Sequence, residues 1–302
     1  MSRGGRKGTA MTGYPAAIAD AFTSKPLSGN PAGVMLLGEN PFPEEALAIR
    51  IAAELRCSET AFVRRLSEDE FEVRYYTPVC EAALCGHATV AAFAVLRDKC
   101  GLTYGDKRVH TAAGDICVTV CRDSVFLDMA EAKVLSRLDE ATAAELYRAF
   151  GLPPRSAENG LCPAIVSVGL ADIMLPVRDR SELSEARQDE AAVSELSRRL
   201  NVTGVHMFCL TQDGFTAHTR NFAPLYGIAE ECATGTASGG LFHYLRECGL
   251  IGDTARFLQG EAMGRPSIVI AREEAGRVRV GGDGAVLLYG EMKIEQDADT
   301  EE

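Results

Sequence analysis

Short apolar runs rich in β-branched and aromatic residues recur along the chain, bounded by Gly, Pro, Asn and Asp. This pattern predicts strands at 14–23, 32–37, 60–66, 70–77, 108–121, 164–178, 204–211, 214–222, 267–272 and 277–282. Helical spacing of apolar residues, with one polar face, predicts surface helices at 43–55, 139–150 and 189–200. Two further segments behave differently. The strands at 70–77 and 214–222 each end at a proline and give way to a loop of Gly, Cys and Thr. Each loop leads into a helix that is apolar nearly all round, as in AAFAVL at 91–96, and closes on a glycine, Gly101 or Gly249, suited to a helix C-terminus. A helix with no polar face belongs inside a domain.

These two segments are copies of one unit. Gly86–Leu102 reads GHATVAAFAVLRDKCGL and Gly235–Leu250 reads GTASGGLFHYLRECGL. With one gap they align Ala88 on Ala237, Thr89 on Ser238, Phe93 on Phe242, Leu96-Arg97 on Leu245-Arg246, and the closing Cys-Gly-Leu. Upstream, Arg74-Tyr75-Tyr76-Thr77-Pro78 answers Arg220-Asn221-Phe222-Ala223-Pro224 in the same order. Many strands around one buried helix, built twice, predict an α+β fold of two pseudo-symmetric barrel-like halves, each a strongly curved mixed β-sheet around a central helix. The expected division is a disordered leader at 1–13, an N-terminal lobe at 14–130 completed by a strand near 280–293, a C-terminal lobe at 131–279, and a disordered acidic tail at 294–302. Met11 is an alternative start to Met1.

Composition narrows the function. The 302 residues carry a net charge of −12, which disfavours nucleic acid and anionic membranes as partners, since both call for a basic face. No apolar run reaches the roughly 20 residues of a membrane span, and the basic start lacks the apolar stretch of an export signal. Ten cysteines stand singly, without a CxxC pair or the Cys/His spacing of a zinc site, so reduced thiols in the cytoplasm and no metal are expected. GxGxxG after a strand, GxxxxGK and a Schiff-base context for lysine are all missing, which points to chemistry without a cofactor.

The helix starts are the chemically promising places. A buried helix presents unpaired N–H groups and a partial positive charge at its N-terminus, and both copies approach that end through small residues, CGHAT and ATGTAS. Two such ends facing each other would cradle an anion, most simply a small-molecule carboxylate, against Cys85, Gly86, Ala88, Thr234 and Gly235. Removing a proton from carbon needs a base near the C–H, exclusion of water, and donors for the developing charge. Glu59 qualifies as base if it lies in that cleft, with burial expected to raise its pKa. His87, one residue into the first helix start, can donate to a ligand or lock the loop.

The motifs DAFTSKPLSGNPAGV (Asp20–Val34), CSETAFV (Cys57–Val63), RYYTPVCEAALCGHAT (Arg74–Thr89), RNFAPLYGIAEECATGTASGG (Arg220–Gly240) and QGEAMGRPS (Gln259–Ser267) resemble the PhzF-like family. That family is named for a phenazine-biosynthesis isomerase and sits within the diaminopimelate epimerase-like superfamily. The resemblance implies that Glu59 carries the proton and that His87, Glu231 and Thr236 complete the catalytic set. The family has its other acidic residue and a serine where this chain has Glu231 and Thr236, so both are departures that keep the chemical type. It also implies that Asn30, Gly264 and Arg265 lie on the substrate side. The superfamily's racemases carry a cysteine at one point in each half. Here Cys85 fills that point in the first half and Thr234 in the second, while Cys232 falls two residues early. A threonine hydroxyl is too weak an acid to replace a thiol, so a one-carboxylate proton shift is favoured over two-thiol inversion. A Cys-based dehydratase or epimerase, and a non-catalytic binding protein on the same fold, stay open. Cys85 itself, beside a helix start, is expected to have its pKa lowered and to alkylate readily. The expected reaction moves a proton or double bond in a small unsaturated or cyclic amino or carboxylic acid of secondary metabolism, in the cytoplasm, in a possible homodimer.

Overall fold

Each central helix is wrapped by its own run of strands, and the two runs repeat one another. The computed structural model describes residues 10–154 and 161–296. In the N-terminal half, neighbours in the sheet run in the order Gly284–Gln296, Ala10–Ala21, Asn30–Gly38, Thr60–Arg65, Glu70–Tyr76, Gly105–Thr111, Gly114–Val120 and Val125–Asp128. In the C-terminal half the order is Lys133–Arg137, Ala164–Ser167, Ala171–Pro176, Gly204–Leu210, Ala217–Ala223, Thr254–Gln259, Ser267–Glu274 and Arg277–Gly282. The third pairing from the outer end runs parallel to its neighbour in both halves, as does the fifth, and the remaining pairings are antiparallel. The two sheets meet where Val125–Asp128 pairs antiparallel with Arg277–Gly282. A side chain at Gly281 would lie 2.2 Å from the Val125 carbonyl, so this seam closes only over glycine.

The helices Gly86–Cys100 and Gly235–Glu247 are buried along most of their length. Their apolar side chains share one core with the inner faces of both sheets, including Phe71, Phe93, Phe242 and Phe257. A fully buried side chain of this size stabilises by about 1.5–3 kcal/mol, which is why the helices need no polar face. On the outer faces, Glu45–Leu55 packs on the N-terminal half, and Glu140–Ala149 and Glu190–Leu200 pack on the C-terminal half. Asp139 and Asp189 cap the last two helices with side-chain acceptors. Neither central helix has a side-chain cap: the preceding residues are Cys85 and Thr234.

Several expected boundaries shift. The strands expected at 108–121 and 164–178 are each hairpins, folded back at Gly114 (φ 112°) and Gly169 (φ 114°), conformations that favour glycine. A short helix, Arg180–Glu185, occupies a stretch with no expected element. The strand ladder reaches into both the expected leader at 1–13 and the expected tail at 294–302. Ala10 pairs with Gln296 and Gly13 with Lys293, because each end supplies the other's ladder partners. The remainder of the expected leader, 1–9, and of the tail, 297–302, lies outside the described residues. Among the described residues, no helix is long and apolar enough to cross a membrane.

Candidate active site

The fold brings Glu59, His87 and Glu231 together from three separate elements. Glu59 precedes the strand Thr60–Arg65, His87 is the second residue of the first central helix, and Glu231 ends the strand Ile228–Glu231. His87 Nε2 lies 3.2 Å from Glu59 Oε2 and 3.4 Å from Ser58 Oγ, while Nδ1 lies 3.9 Å from Glu231 Oε1. The imidazole is buried, and each carboxylate keeps about a fifth of its surface exposed, 21 % for Glu59 and 22 % for Glu231. Both carboxylates therefore open to a ligand while His87 stands behind them.

Glu231 is held by three groups. Asn30 Nδ2 donates to its Oε1 at 3.1 Å and to the Ala233 carbonyl at 2.9 Å, and the Thr234 hydroxyl donates to its Oε2 at 2.7 Å. Gln259 braces the backbone here, donating to the Glu231 carbonyl at 2.7 Å and accepting from the Thr234 N–H at 3.2 Å. Thr234 thus orients the carboxylate and leaves the helix start uncapped. The first N–H groups of the two helices, from Gly86 and from Gly235, have no acceptor within their own helix, although the Ala88 N–H lies toward the Cys85 sulfur. Both starts face the junction of the halves: Gly86 and Thr236 line one groove of about 1020 Å³, and His87 of the first helix lies 3.9 Å from Glu231 of the other half. The groove's apolar wall includes Leu84, Leu127, Met129 and Val168, whereas Glu59, His87 and Glu231 lie beyond its lining.

The electrostatics correct one expectation for Glu59. Burial pushes its carboxyl up, but the hydrogen-bond and charge interactions of His87, with Ser58, outweigh it and hold the group below the usual range. Burial opposes charging His87, yet Cys85 and Glu59 raise it well above an ordinary histidine. Both shifts favour a carboxylate facing an imidazolium. Glu231 is raised, by burial first, against the pull of His87, Thr234 and Asn30.

Cys85 also departs from expectation. Its Sγ lies 3.4 Å from His87 Nδ1, but complete burial of the thiol raises its pKa, and His87 only partly offsets this. The helix start does not make it a reactive thiolate. Glu59, Cys85 and His87 offer donor atoms within 4.8 Å of one another, a cluster that sequence spacing does not show. Its thiol and imidazole hold their protons firmly, and a metal would have to displace both.

The remaining expected site residues divide. Asn30 and Thr234 join the cluster. Ala88 is fully buried in the first helical turn. Thr236 lines the groove. Gly264 is exposed in the turn after Glu261–Met263, at φ +67°. Arg265 is tied into the structure: it donates to buried Asp20 at 2.6 Å, to the Gly29 carbonyl at 2.8 Å and to the Ser28 carbonyl at 3.0 Å. It straps the loop after the first strand to the opposite half, beside the Ile268 N–H to Phe22 carbonyl bond of 2.7 Å. Ser58, Gln259 and Asp20 were not singled out from the sequence, although each lies inside one of the five motifs. Their partners are distant in the chain, so no spacing marks them.

Comparison with known proteins bears on the family and the fold. The sequence model of the phenazine biosynthesis-like protein family matches residues 19–290. The chain belongs to that family. An uncharacterized isomerase of Deinococcus radiodurans is 38 % identical over 298 residues, covering 93 % of this chain and 94 % of that protein. The human phenazine biosynthesis-like domain-containing protein is 29 % identical, over 92 % of this chain and 98 % of its own length. Among solved structures, a PhzF-family protein from Enterococcus faecalis superposes with a TM-score of 0.76 at 25 % identity, covering 93 % of this chain and 99 % of that one. A hydroxyproline epimerase from Agrobacterium vitis shares the fold, at a TM-score of 0.64 and 13 % identity, over 94 % and 92 % of the two chains. The phenazine biosynthesis-like fold is therefore the one with two α+β halves around central helices.

Proposed function

We propose that this member of the phenazine biosynthesis-like family is a cofactor-independent isomerase that moves a proton, and with it a double bond, within a small unsaturated or cyclic amino or carboxylic acid. The observation that carries the reading is Glu59, about a fifth exposed, held 3.2 Å from the buried His87 imidazole, a contact that favours the ionised form of each. The substrate carboxylate sits against the uncapped N–H groups at the two helix starts, where backbone donors and helix dipoles favour negative charge. Glu59 takes a proton from carbon, the C–H electron pair moves into the substrate's π-system, and the double bond shifts. Glu59 then returns the same proton to the far carbon, so no proton is gained or lost. A carboxyl kept below its usual range is a strong acid once protonated, which favours the return step. His87 stabilises the carboxylate at the start and the end of the cycle. Isomerase names among the relatives support this reading, and the family's description supports a place in secondary metabolism.

The test uses a panel of small β,γ-unsaturated and cyclic α-amino and α-carboxylic acids in deuterated water, with C–H exchange and double-bond position followed by NMR. Glu59→Gln keeps the size and removes the base, so turnover should fall by at least about 10²-fold. Near-normal turnover in a folded variant overturns the assignment. The 3.4 Å contact of Cys85 with His87 favours a second reading, a one-thiol dehydratase or epimerase. Under the carboxylate reading Cys85→Ala keeps a sizeable part of the activity. Loss as complete as that from Glu59→Gln would bring the thiol forward.

A further inference from the structure

Half of the ten cysteines are poorly placed for chemistry on sulfur. Burial pushes the thiols of Cys57, Cys85, Cys117, Cys209 and Cys232 up. Cys162 and Cys248 differ, being only half-buried and gathered under one cation. Nη1 of Arg137 donates to Cys162 Sγ at 3.3 Å, and Nη2 donates more weakly to Cys248 Sγ at 3.9 Å. Three elements set the sulfurs side by side. Arg137 ends the outer strand Lys133–Arg137 and pairs with Ala164, two residues after Cys162, while the Leu138 N–H donates to the Pro163 carbonyl at 2.8 Å. Cys248 follows the helix Gly235–Glu247, one turn beyond Tyr244 on the same face, and its N–H donates to the Tyr244 carbonyl at 3.1 Å. The Tyr244 hydroxyl holds the backbone of Cys162 in turn, donating to its carbonyl at 2.7 Å and accepting from its N–H at 3.1 Å. The Arg137 guanidinium lies 5.7 Å from the centre of the Tyr244 ring. Two cysteines from distant parts of the chain thus share one tyrosine and one guanidinium.

We infer that Cys162 and Cys248 form a reversible oxidation site, a thiol pair that hydroperoxides convert to a disulfide. A guanidinium is always charged and donates without giving up its proton, so it steadies negative charge on either sulfur as that sulfur attacks or leaves. Cys162 receives the shorter contact and takes the first step. Its sulfur attacks the peroxide, the O–O bond breaks, and the thiol is oxidised to a sulfenic acid while the peroxide is reduced to an alcohol or water, which keeps the thiol proton. The Cys248 sulfur then attacks the sulfenic sulfur. The S–S bond forms, the S–O bond breaks, and hydroxide leaves as water with the Cys248 proton. Arg137 is exposed, so it has room to withdraw as the sulfurs close. A dithiol reductant reverses the change by exchange. At ~1.5 Å per residue, Cys248 lies about 20 Å along its helix from Gly235, so the site is separate from the helix start that the isomerase reading uses.

The test treats the full chain, reduced and freed of reductant, with a small excess of hydrogen peroxide, blocks the remaining thiols with iodoacetamide, and maps tryptic peptides by mass spectrometry. Peptides 156–178 and 247–256 each contain one cysteine, so their linkage identifies the disulfide. That linkage should be the first to appear, vanish on treatment with dithiothreitol, and be absent in Cys162→Ser and in Cys248→Ser. In Cys248→Ser the oxidation should stop at a sulfenic acid on Cys162, trapped by dimedone. Arg137→Gln should slow the linkage several-fold and Arg137→Lys should recover part of the rate, with the exposed Cys80 and Cys100 as internal controls whose oxidation is unchanged. Both peptides recovered fully alkylated while Cys80 and Cys100 are oxidised, Cys162 linked to a different cysteine, or a rate unmoved in Arg137→Gln overturns the inference. The readout is a peptide mass and needs no substrate, so its failure is separate from a failure of the isomerase reading, which the exchange assay decides.

Discussion

Removing either partner of the Tyr75–Thr89 hydrogen bond should destabilise the protein, and by unequal amounts. Thr89 Oγ1 donates its only hydrogen to the Cys85 carbonyl at 2.7 Å, so the Tyr75 hydroxyl must be the donor in its 2.7 Å contact with Thr89. Tyr75→Phe deletes that donor and leaves the Thr89 hydroxyl still bonded, at a cost of about 1 kcal/mol, the net worth of one hydrogen bond. Thr89→Val is nearly isosteric but strands the Tyr75 hydroxyl, which has no exposed surface, so the cost rises toward about 2–3 kcal/mol. The Cys85 carbonyl loses less, because it keeps the backbone N–H of residue 89 at 3.0 Å. The double variant has no stranded phenol and should cost less than the sum, with a coupling of about 1–2 kcal/mol. Urea unfolding of the four proteins, monitored by circular dichroism, measures the cycle. Additive losses, or a larger loss from Tyr75→Phe than from Thr89→Val, refute the assignment of donor and acceptor.

Arg265→Met should destabilise by up to about 3 kcal/mol by leaving the fully buried Asp20 without its guanidinium, less than a fully buried pair would lose because Arg265 is 28 % exposed. Asp20→Asn in the same background should recover part of the loss in thermal melting. Gly204→Ala should prevent stable folding, since its Cβ would lie 2.1 Å from the Phe222 carbonyl, whereas Gly86→Ala meets only Leu127 at 3.9 Å and should fold with unchanged or slightly higher stability. The Glu59–His87 pair should also appear in the pH dependence of stability. The raised His87 contributes fully below pH 6.5 and loses its contribution as pH rises through its folded midpoint. The lowered Glu59 contributes above 4.5, its ordinary value, and loses its contribution as pH falls through its folded midpoint. Denaturation between pH 3 and 9 should therefore show a contribution that is flat from 4.5 to 6.5 and reduced in Glu59→Gln, where the part due to Glu59 is gone and the part that Cys85 gives His87 stays. An unchanged profile in that variant argues against the ion pair.

The repeated helix and its flanking strand were legible because they sit in consecutive residues: Gly86–Leu102 and Gly235–Leu250 align without knowledge of the fold. Glu59 and His87 were legible as candidates for the same reason, since each stands in a short motif. The direction of the Glu59 shift was not, because it depends on an imidazole 28 positions away whose distance only the fold sets. The partners of Arg265 were hidden by a related gap. A conspicuous arginine in a glycine-bounded turn suggests a ligand, while its actual partners, Asp20 and the Ser28 and Gly29 carbonyls, are more than 230 residues earlier. The pairing of Cys162 with Cys248 was invisible because the two stand on different elements, and each alone looks like one more single cysteine.

The duplication also bears on why one base, and not two, should work here. The residue before the strand Thr60–Arg65 is Glu59, and by the shared register its counterpart before Val205 is Gly204. A side chain at Gly204 would overlap the Phe222 carbonyl, so the C-terminal half has no room for a second Glu59. The reverse holds for Glu231, whose counterpart by strand pairing in the N-terminal half is Ala82. The symmetric thiol of a two-base mechanism is likewise replaced, since Thr234 stands opposite Cys85 and has its hydroxyl committed to Glu231 at 2.7 Å. Each half keeps the helix start, which binds an anion without regard to handedness, and only one half supplies each ionisable group. Glu231 has both oxygens engaged, by Asn30 at 3.1 Å and Thr234 at 2.7 Å, which leaves Glu59 as the base. A base on one face of a bound carbon acid can remove a proton and replace it elsewhere on that face, but it cannot invert the carbon. On this argument, substrates that exchange a C–H with solvent deuterium in the protein's presence should do so with retention, and racemisation of an amino acid at a comparable rate would contradict it.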